Sequence, residues 1–383
     1  MLDPNLLTRF RSIETPFYYY DLELLRNTLH ELSTHLPERY HVHYALKANA
    51  NREILKLVME AGLGADCVSG NEVKRAFECG FKPSKIVFAG VGKSDREIKE
   101  ALDLDIFCFN AESIQELEVL NQMADNAGKK ARVAIRVNPN VDAYTHQYIT
   151  TGLEENKFGI NPYDFEKVLN ILRVSDHLHF EGLHFHIGSQ ITDMTAFKNL
   201  CTRVNDINTW FAKQGFLSKH LNLGGGLGID YRLPDENKIV DFKTYFSIFK
   251  TLLEPLPGQE LHFELGRSIV AQCGNLVSRV LYIKHGLNTH FVILDAGMTE
   301  LMRPALYQAY HKIENLSKFN KISDHKYDVV GPICESSDCF GKAVELPLTE
   351  RGDLIVIRSA GAYGEVMSNR YNLREAAASV YSL

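Results

Sequence analysis

The sequence predicts a (β/α)8 barrel, the TIM-barrel form of the α/β class, followed by an all-β domain. Eight apolar runs of strand length alternate with eight amphipathic helical patterns over residues 22–267. Residues 268–383 instead contain strand patterns with few helices between them. A chain of 383 residues is also longer than a single hydrophobic core usually supports, which favours two domains. A doubly wound open sheet is the alternative that the strand count leaves open.

The elements follow from their patterns in chain order. The predicted barrel strands are branched or aromatic apolar runs at 40–46, 64–68, 85–89, 106–110, 132–137, 181–186, 221–223 and 261–264. The predicted helices carry one apolar face and span 22–36, 51–61, 71–79, 95–102, 113–126, 163–173, 196–214 and 241–253. In the second domain, strands are expected within 268–284, 290–294, 327–333 and 353–358, and residues 1–21 are expected to join this domain with a strand.

Composition excludes several classes of protein. A net charge of −6 gives no electrostatic reason to expect nucleic acid as a partner. No apolar run is long enough to span a membrane, and the amino terminus lacks a secretion-signal pattern. Seven cysteines without a C-x-x-C pair indicate free thiols in a reducing compartment. We therefore expect a cytoplasmic protein with a small-molecule substrate.

Barrel enzymes carry their chemistry at the carboxyl ends of the strands. Lys47 follows the first predicted strand directly. Burial beside the core disfavours a charged ammonium, and a neutral amine can attack an aldehyde to form a Schiff base. A solvated lysine at a strand end is the ordinary alternative for any single lysine.

Glycines 224, 225 and 226 follow the seventh strand, where barrels often bind phosphate. Three glycines let backbone N–H groups approach an anion closely. A tight loop without a ligand is the alternative. The G-x-G-x-x-G spacing of a dinucleotide site is missing.

His186 and Ser189 follow the sixth strand. A neutral imidazole there could lie on an aromatic cofactor, and the hydroxyl could reach a phosphate. The alternatives are a core histidine, or a metal pair with His184 on the same strand face. No third ligand has suitable spacing, so we expect no metal at this site.

Glu264 ends the last barrel strand, three residues before Arg267. A carboxylate beside a pyridine nitrogen keeps that nitrogen protonated, which makes the ring an electron sink. An ion pair between Glu264 and Arg267 is the alternative.

The second domain contributes further candidates. Cys334 could donate a proton and Glu335 could accept an ammonium, whereas Arg303 and Tyr307 could recognise a carboxylate. Tyr363, between glycines, could hydrogen-bond a phosphate. Structural ion pairing and core packing explain these residues equally well when each is taken alone.

Taken together, the motifs resemble the fold-type III pyridoxal-phosphate decarboxylases, the class-II family that acts on ornithine, lysine and arginine. The resemblance covers residues 15–381 and rests on motifs in the family's order: Tyr-x-x-Lys-Ala-Asn, His-Ile-Gly-Ser, Gly-Gly-Gly, Glu-x-Gly-Arg-Ser, Met-Arg-Pro-Ala-Leu-Tyr and Cys-Glu-Ser-x-Asp. It implies an alanine racemase-like barrel with pyridoxal 5'-phosphate as cofactor. Leu265 departs from the pattern, because the family usually has proline there.

The resemblance also implies residue roles. Lys47 would carry the cofactor, His186 would stack on its ring and Glu264 would pair with its nitrogen. The remaining cofactor-binding positions would be Arg136, Ser189, Gly224, Gly225, Gly226, Gly266, Arg267 and Tyr363. The substrate-binding positions would be Arg267, Arg303, Tyr307, Glu335 and Tyr363, with Cys334 as proton donor. A homodimer with shared active sites is implied as well.

The substrate expectation follows from charge. The arginines could bind a second carboxylate of the substrate, and Glu335 could bind the ammonium next to that carboxylate. These contacts indicate a substrate with an amino-acid group at each end, as in meso-2,6-diaminopimelate. L-Lysine would be the product. The open alternatives are a decarboxylase of carboxynorspermidine or ornithine, a racemase of the same barrel, and a non-catalytic pyridoxal-phosphate-binding protein.

Overall fold

The computed structural model describes residues 5–141 and 157–382. The chain forms two compact units: Met1–Thr28, Ile229–Val240 and Arg267–Leu383 make one, while Leu29–Gly228 and Asp241–Gly266 make the other. The sequence-based domain assignment, with 22–267 as the barrel domain and 268–383 joined by 1–21 as the β domain, stays a prediction. The chain begins with α1 (Asn5–Arg11), β1 (Phe17–Tyr20) and α2 (Leu22–His35).

Eight parallel strands close into a barrel in sequence order, which confirms the predicted fold class and removes the open-sheet alternative. They are β2 (Tyr40–Ala45), β3 (Gly64–Cys67), β4 (Ile86–Phe88), β5 (Cys108–Ala111), β6 (Ala131–Val137), β7 (Leu178–Phe185), β8 (His220–Asn222) and β9 (Glu260–Leu265). The helices between them are α3 (Arg52–Glu60), α4 (Gly70–Glu78), α5 (Asp95–Leu104), α6 (Ile114–Asn126), α7 (Phe165–Val174), α8 (Thr195–Lys213) and α9 (Phe242–Leu252).

Local sequence explains where these barrel helices begin. Asn51 caps α3 by accepting a hydrogen bond from the Glu53 N–H, and serines 69 and 113 cap α4 and α6 in the same way. The apolar face of α3 is buried through Ile54, Leu55 and Val58. The caps and the apolar faces therefore determine where the helices begin and how they pack. The carboxyl ends of the strands remain available for functional residues.

The other unit contains an eight-stranded sheet. Its elements after the barrel are α10 (Arg267–Val270), β10 (Gly274–His285), β11 (His290–Leu294), α11 (Arg303–Tyr307), β12 (Ile313–Asn315), β13 (His325–Val330), β14 (Cys339–Leu346), β15 (Leu354–Ile357) and β16 (Ala378–Tyr381). Strand β1 pairs with β10 and β16, so the amino-terminal segment does add a strand to this sheet. The strand expected within 268–284 is β10, which begins at Gly274 because residues 267–270 form a helical turn.

No helix in the described ranges 5–141 and 157–382 is long and apolar enough to cross a membrane.

Candidate active site

Lys47 lies in a single 3-10 turn, Leu46–Ala48, directly after β2. The Tyr44 hydroxyl donates to the carbonyl of Asn49 at 2.9 Å and closes this turn. Strand β9 runs close by, since a Cβ at Gly266 would lie 2.8 Å from the Cβ of Ala48. A side chain at position 266 would therefore push the lysine turn out of place.

Asp66, on β3, is the acidic neighbour of Lys47, with 3.4 Å between Oδ2 and Nζ. The carboxyl group is fully buried, whereas the lysine side chain is 35% exposed. Burial raises the pKa of Asp66 to about 6, with the Glu264 charge adding to the rise and Lys47 opposing it. Asp66 Oδ1 has no hydrogen-bond partner among the described residues.

Glu264 is held inside the barrel by three side chains from three strands. Its Oε1 accepts hydrogen bonds from Asn110 Nδ2 at 3.1 Å and Asn222 Nδ2 at 2.8 Å, and Oε2 lies 2.9 Å from His184 Nε2. Burial alone would raise the pKa of Glu264, but the charge and hydrogen bond of His184, with Lys47 nearby, bring the pKa well below its usual range. The group is therefore a fixed carboxylate at the carboxyl end of the barrel.

His186 follows β7 and is oriented by the glycine loop, since the Gly225 N–H donates to its Nδ1 at 3.2 Å. Burial lowers the pKa of His186 well below the ordinary value, and the charges of Lys47 and Arg136 lower it further. The ring is thus neutral and carries its proton on Nε2. Ser189 lies partly buried three residues further on.

The glycine loop after β8 requires glycine at each position. Gly224 and Gly226 have φ of +67° and +102°, and a Cβ at Gly225 would lie 1.9 Å from the carbonyl oxygen of Glu264. The Glu264 N–H also donates to the Gly224 carbonyl at 2.8 Å. The loop therefore lies directly against the strand that carries the buried carboxylate.

Arg136, on β6, is committed to an ion pair with Glu112, with 2.6 Å between Nη1 and Oε1. Both side chains are buried, and the backbone N–H groups of Gly90 and Gly159 donate to the same carboxylate. The network fixes the guanidinium at the strand end.

The other unit gathers two arginines around Tyr231. Arg267 Nη1 donates to the Tyr231 hydroxyl at 2.5 Å, and the guanidinium lies over the Tyr363 ring at 4.7 Å. The Arg303 guanidinium lies 4.7 Å from the Tyr231 ring centroid. All three side chains from 231, 267 and 303 are buried. Such a cluster of buried cations suits an anionic ligand.

His311 orients Arg303. The His311 Nδ1–H donates to the Arg358 carbonyl at 2.8 Å, which leaves Nε2 to accept from Arg303 Nη1 at 2.7 Å. Burial, followed by the Arg303 charge, lowers the pKa of His311 to about 3, so the ring stays neutral. The histidine can therefore position the guanidinium without repelling it.

The remaining candidates lie in the same unit. Tyr307 is the last residue of α11 and is partly buried. Cys334 and Glu335 are exposed; the Cys334 N–H donates to Asn372 Oδ1 at 3.2 Å, and Glu335 accepts from the Tyr371 hydroxyl at 2.7 Å.

Sequence reasoning assigned no role to several residues that shape these groups. They are Asp66, Asn110, Glu112, Asn222, Tyr231 and His311. Polar residues inside otherwise apolar strands were a usable signal for Asn110 and Asn222. No pattern in the sequence marked Tyr231 or His311.

The barrel residues fit pyridoxal phosphate by their own chemistry. They provide a partly exposed primary amine at Lys47, a buried carboxylate at Glu264 and a neutral imidazole at His186. The glycine loop leaves backbone where any side chain would collide, which is the surface that a phosphate needs.

Known proteins resemble this chain over nearly its whole length. The family model described as pyridoxal-dependent decarboxylase, pyridoxal binding domain, matches residues 22–271. The chain is 54% identical over 371 residues to the diaminopimelate decarboxylase of Bacteroides thetaiotaomicron, covering 96% of each chain. It is 42% identical to that of Helicobacter pylori strain J99, over 95% of this chain and 89% of the relative. The crystal structure of the H. pylori diaminopimelate decarboxylase complexed with L-lysine superposes with a TM-score of 0.93 at 40% identity, covering 99% of this chain and 94% of that one.

The chain therefore belongs to the pyridoxal-dependent decarboxylases, and its cofactor is pyridoxal 5'-phosphate.

Proposed function

We propose that this protein removes CO2 from meso-2,6-diaminopimelate to give L-lysine, the last step of lysine biosynthesis. Full-length relatives named diaminopimelate decarboxylase support this substrate, as does the lysine bound in the H. pylori structure. The observation in this chain that carries the reaction type is the buried Glu264 carboxylate, hydrogen-bonded on both oxygens. When bound, pyridoxal phosphate supplies an electron sink for the bonding pair that the departing CO2 leaves behind.

The barrel residues have separate tasks in this proposal. Lys47 holds the cofactor through its amine, and Asp66 stays beside that amine as its acidic neighbour. Glu264 keeps a proton on the pyridine nitrogen, because a carboxylate with a depressed pKa favours a cation next to it. The neutral ring of His186 stacks on the cofactor without adding a second positive charge.

Ser189, the glycine loop at 224–226 and Gly266 make the phosphate end of the proposed cofactor site. A Cβ at Gly225 would lie 1.9 Å from the carbonyl oxygen of Glu264, so the loop at this position presents only backbone to an anion. Arg136 completes the barrel side, where Glu112 already fixes its position.

Arg267, Arg303, Tyr307, Glu335 and Tyr363 make the proposed substrate contacts. Two desolvated guanidiniums around Tyr231 favour a ligand with a carboxylate beyond the one that is lost. Glu335 would receive the ammonium next to that carboxylate. Ornithine has no second carboxylate, and carboxynorspermidine presents different spacing between its charges.

We also propose a homodimer in which the Cys334 segment of one chain completes the site of the other. Cys334 and Glu335 are exposed in the single chain, whereas a proton donor works in a site closed to water. The seven free thiols suit a cytoplasmic location.

The direct test is CO2 release by the holoenzyme from meso-diaminopimelate, ornithine, arginine and lysine, assayed side by side with carboxynorspermidine. We expect kcat/KM for meso-diaminopimelate to exceed the others by about a hundredfold or more, the discrimination that an unpaired buried charge imposes. Higher kcat/KM for ornithine or carboxynorspermidine would replace the proposed substrate. A cofactor absorbance band without turnover on any of them would indicate a non-catalytic binding protein.

A further inference from the structure

Four histidines meet at the amino-terminal end of the barrel, opposite the end that carries Lys47. They are His41 and His43 on β2, His220 on β8 and His262 on β9. The ring centroid of His262 lies 4.8 Å from His41, 5.1 Å from His43 and 4.8 Å from His220. His41 and His262 are direct partners in the β2–β9 ladder, which joins the first and last strands of the barrel.

Glu260 belongs to the same group. It precedes His262 by two residues on β9, and side chains at this spacing share one face of a strand. Its Oε2 lies 3.4 Å from His41 Nε2 and 3.9 Å from His262 Nε2. The carboxylate oxygen thus stands between two imidazole nitrogens.

Hydrogen bonding fixes the tautomer of His262. His43 Nδ1 lies 3.1 Å from the Lys85 carbonyl, which can only accept, so His43 carries a proton on Nδ1. An imidazole with its proton on Nδ1 presents a lone pair on Nε2, so this atom of His43 accepts. His262 Nδ1, at 2.8 Å from that Nε2, must then be the donor.

Because His262 carries its proton on Nδ1, its Nε2 has a lone pair. This atom is buried and has no hydrogen-bond partner among the described residues. The neighbouring Glu260 oxygen is also an acceptor, so the two atoms cannot satisfy each other. A cation placed between them would satisfy both the nitrogen lone pair and the carboxylate.

We propose that His41 Nε2, Glu260 and His262 Nε2 bind a divalent transition-metal ion, with zinc as the best match. Among the described residues these three form a set whose ligand atoms all lie within 4.8 Å of one another. Two ligands on one tetrahedral zinc stand about 3.3 Å apart, given bond lengths of about 2.0–2.1 Å. The His41–Glu260 pair already has that spacing, and both side chains are 48% exposed and can turn toward His262.

Two hydrogen bonds hold His262 in the orientation that such a site needs: His262 Nδ1 donates to His43 Nε2, and His43 Nδ1 donates to the Lys85 carbonyl. Metal-bound histidines usually donate their second N–H to a fixed acceptor, and this holds their lone pair on the metal. Two imidazoles and one carboxylate leave a fourth position for water, as in zinc sites of this composition.

The site is separate from the proposed decarboxylation chemistry. Glu260 and Glu264 are four residues apart on one strand, which places their Cα atoms roughly 13 Å apart at about 3.3 Å per residue. The ion would bridge the first and last barrel strands, so its effect is expected on stability.

The test uses the holoenzyme without a polyhistidine tag, freed of metal with EDTA and titrated with ZnCl2 by calorimetry. Co2+ serves as a second probe, because its visible d–d absorption reports tetrahedral coordination. We expect one ion per chain, a tetrahedral Co2+ spectrum that zinc abolishes, and a higher Tm with zinc. Failure of the wild-type chain to bind either ion would overturn the proposal.

Variants locate the ion. His41→Ala and Glu260→Gln each remove an exposed ligand, so both should fold and should weaken Zn2+ binding by about tenfold or more. The control is His290→Ala, because His285 and His290 form an exposed pair on the β10–β11 hairpin with 3.2 Å between their Nδ1 atoms. If the control loses binding, or if the two ligand variants bind as the wild type does, the site lies elsewhere.

Discussion

His184 donates a hydrogen bond to Glu264 inside the barrel, with 2.9 Å between Nε2 and Oε2. The side-chain amides of Asn110 and Asn222 donate hydrogen bonds to the other carboxylate oxygen, Oε1. All three donors therefore favour the ionised form of Glu264. A carboxylate held in this way cannot turn away from its neighbour or take up a proton readily. The electrostatic part of the proposed chemistry depends on this arrangement.

Glu264→Gln should bind the cofactor but lose turnover by roughly 10²–10³-fold, a typical cost for removing one preorganised electrostatic group. The amide cannot stabilise a protonated pyridine nitrogen. Cofactor absorbance checks loading, and kcat on meso-diaminopimelate checks the chemistry. Glu181→Gln is the matched control, since Glu181 is a buried barrel carboxylate whose partners are His179 and Lys219. A Glu264→Gln enzyme as fast as the control would remove Glu264 from the mechanism.

Arg303→Ala should damage turnover of meso-diaminopimelate far more than any residual activity on lysine or ornithine. Deleting the charged partner of a desolvated carboxylate costs on the order of 2–5 kcal/mol. Comparing kcat/KM across the substrates makes the measurement, and Arg279→Ala, a partly exposed arginine of the same unit, is the control. Equal losses on all substrates would point to cofactor binding or folding instead.

Asp66 should make the stability of the cofactor-free chain depend on pH. Its pKa is about 6 in the folded chain against an ordinary 3.8, so folding takes up a proton between those values. The free energy of unfolding therefore falls as the pH rises from about 4 to about 6, by roughly 2–3 kcal/mol from this group. Asp66→Asn should lack that part of the slope in urea unfolding. Parallel slopes for the variant and the wild type would contradict the raised pKa.

Subunit mixing tests the proposed shared site. Lys47→Ala and Cys334→Ala chains should each be inactive alone, yet their mixture should recover about a quarter of wild-type activity. Half of the randomly exchanged dimers are mixed, and each mixed dimer has one intact site of two. Native mass spectrometry would first show that the subunits have exchanged. If activity still does not recover, each site is built within one chain.

The barrel could be predicted from sequence because its buried strands are apolar runs separated by helices with caps. The ends of those strands were also predictable to within a few residues, and Lys47 and Glu264 were found there. The contacts around them were not predictable. Asn110 and Asn222 meet Glu264 across separations of 154 and 42 residues, which only closure of the barrel brings together.

The role of Tyr231 could not be predicted from the sequence for a different reason. It lies in a segment without regular structure, and its contacts with Arg267 and Arg303 depend on chain folding over 36 residues and more. The histidine group at the amino-terminal end was missed for a related reason. His41 and His262 are distant in sequence and become neighbours only through the β2–β9 pairing.

The central claim is that Lys47 holds the cofactor of a decarboxylase, and borohydride reduction of the holoenzyme followed by peptide mapping tests it most directly. Lys47 is partly exposed beside Asp66, whereas Lys93 is buried and committed to Glu116 at 2.6 Å. We expect the pyridoxyl group on the peptide that contains Lys47. Its recovery on Lys93 or Lys284 would contradict the assignment and, with it, the proposed active site.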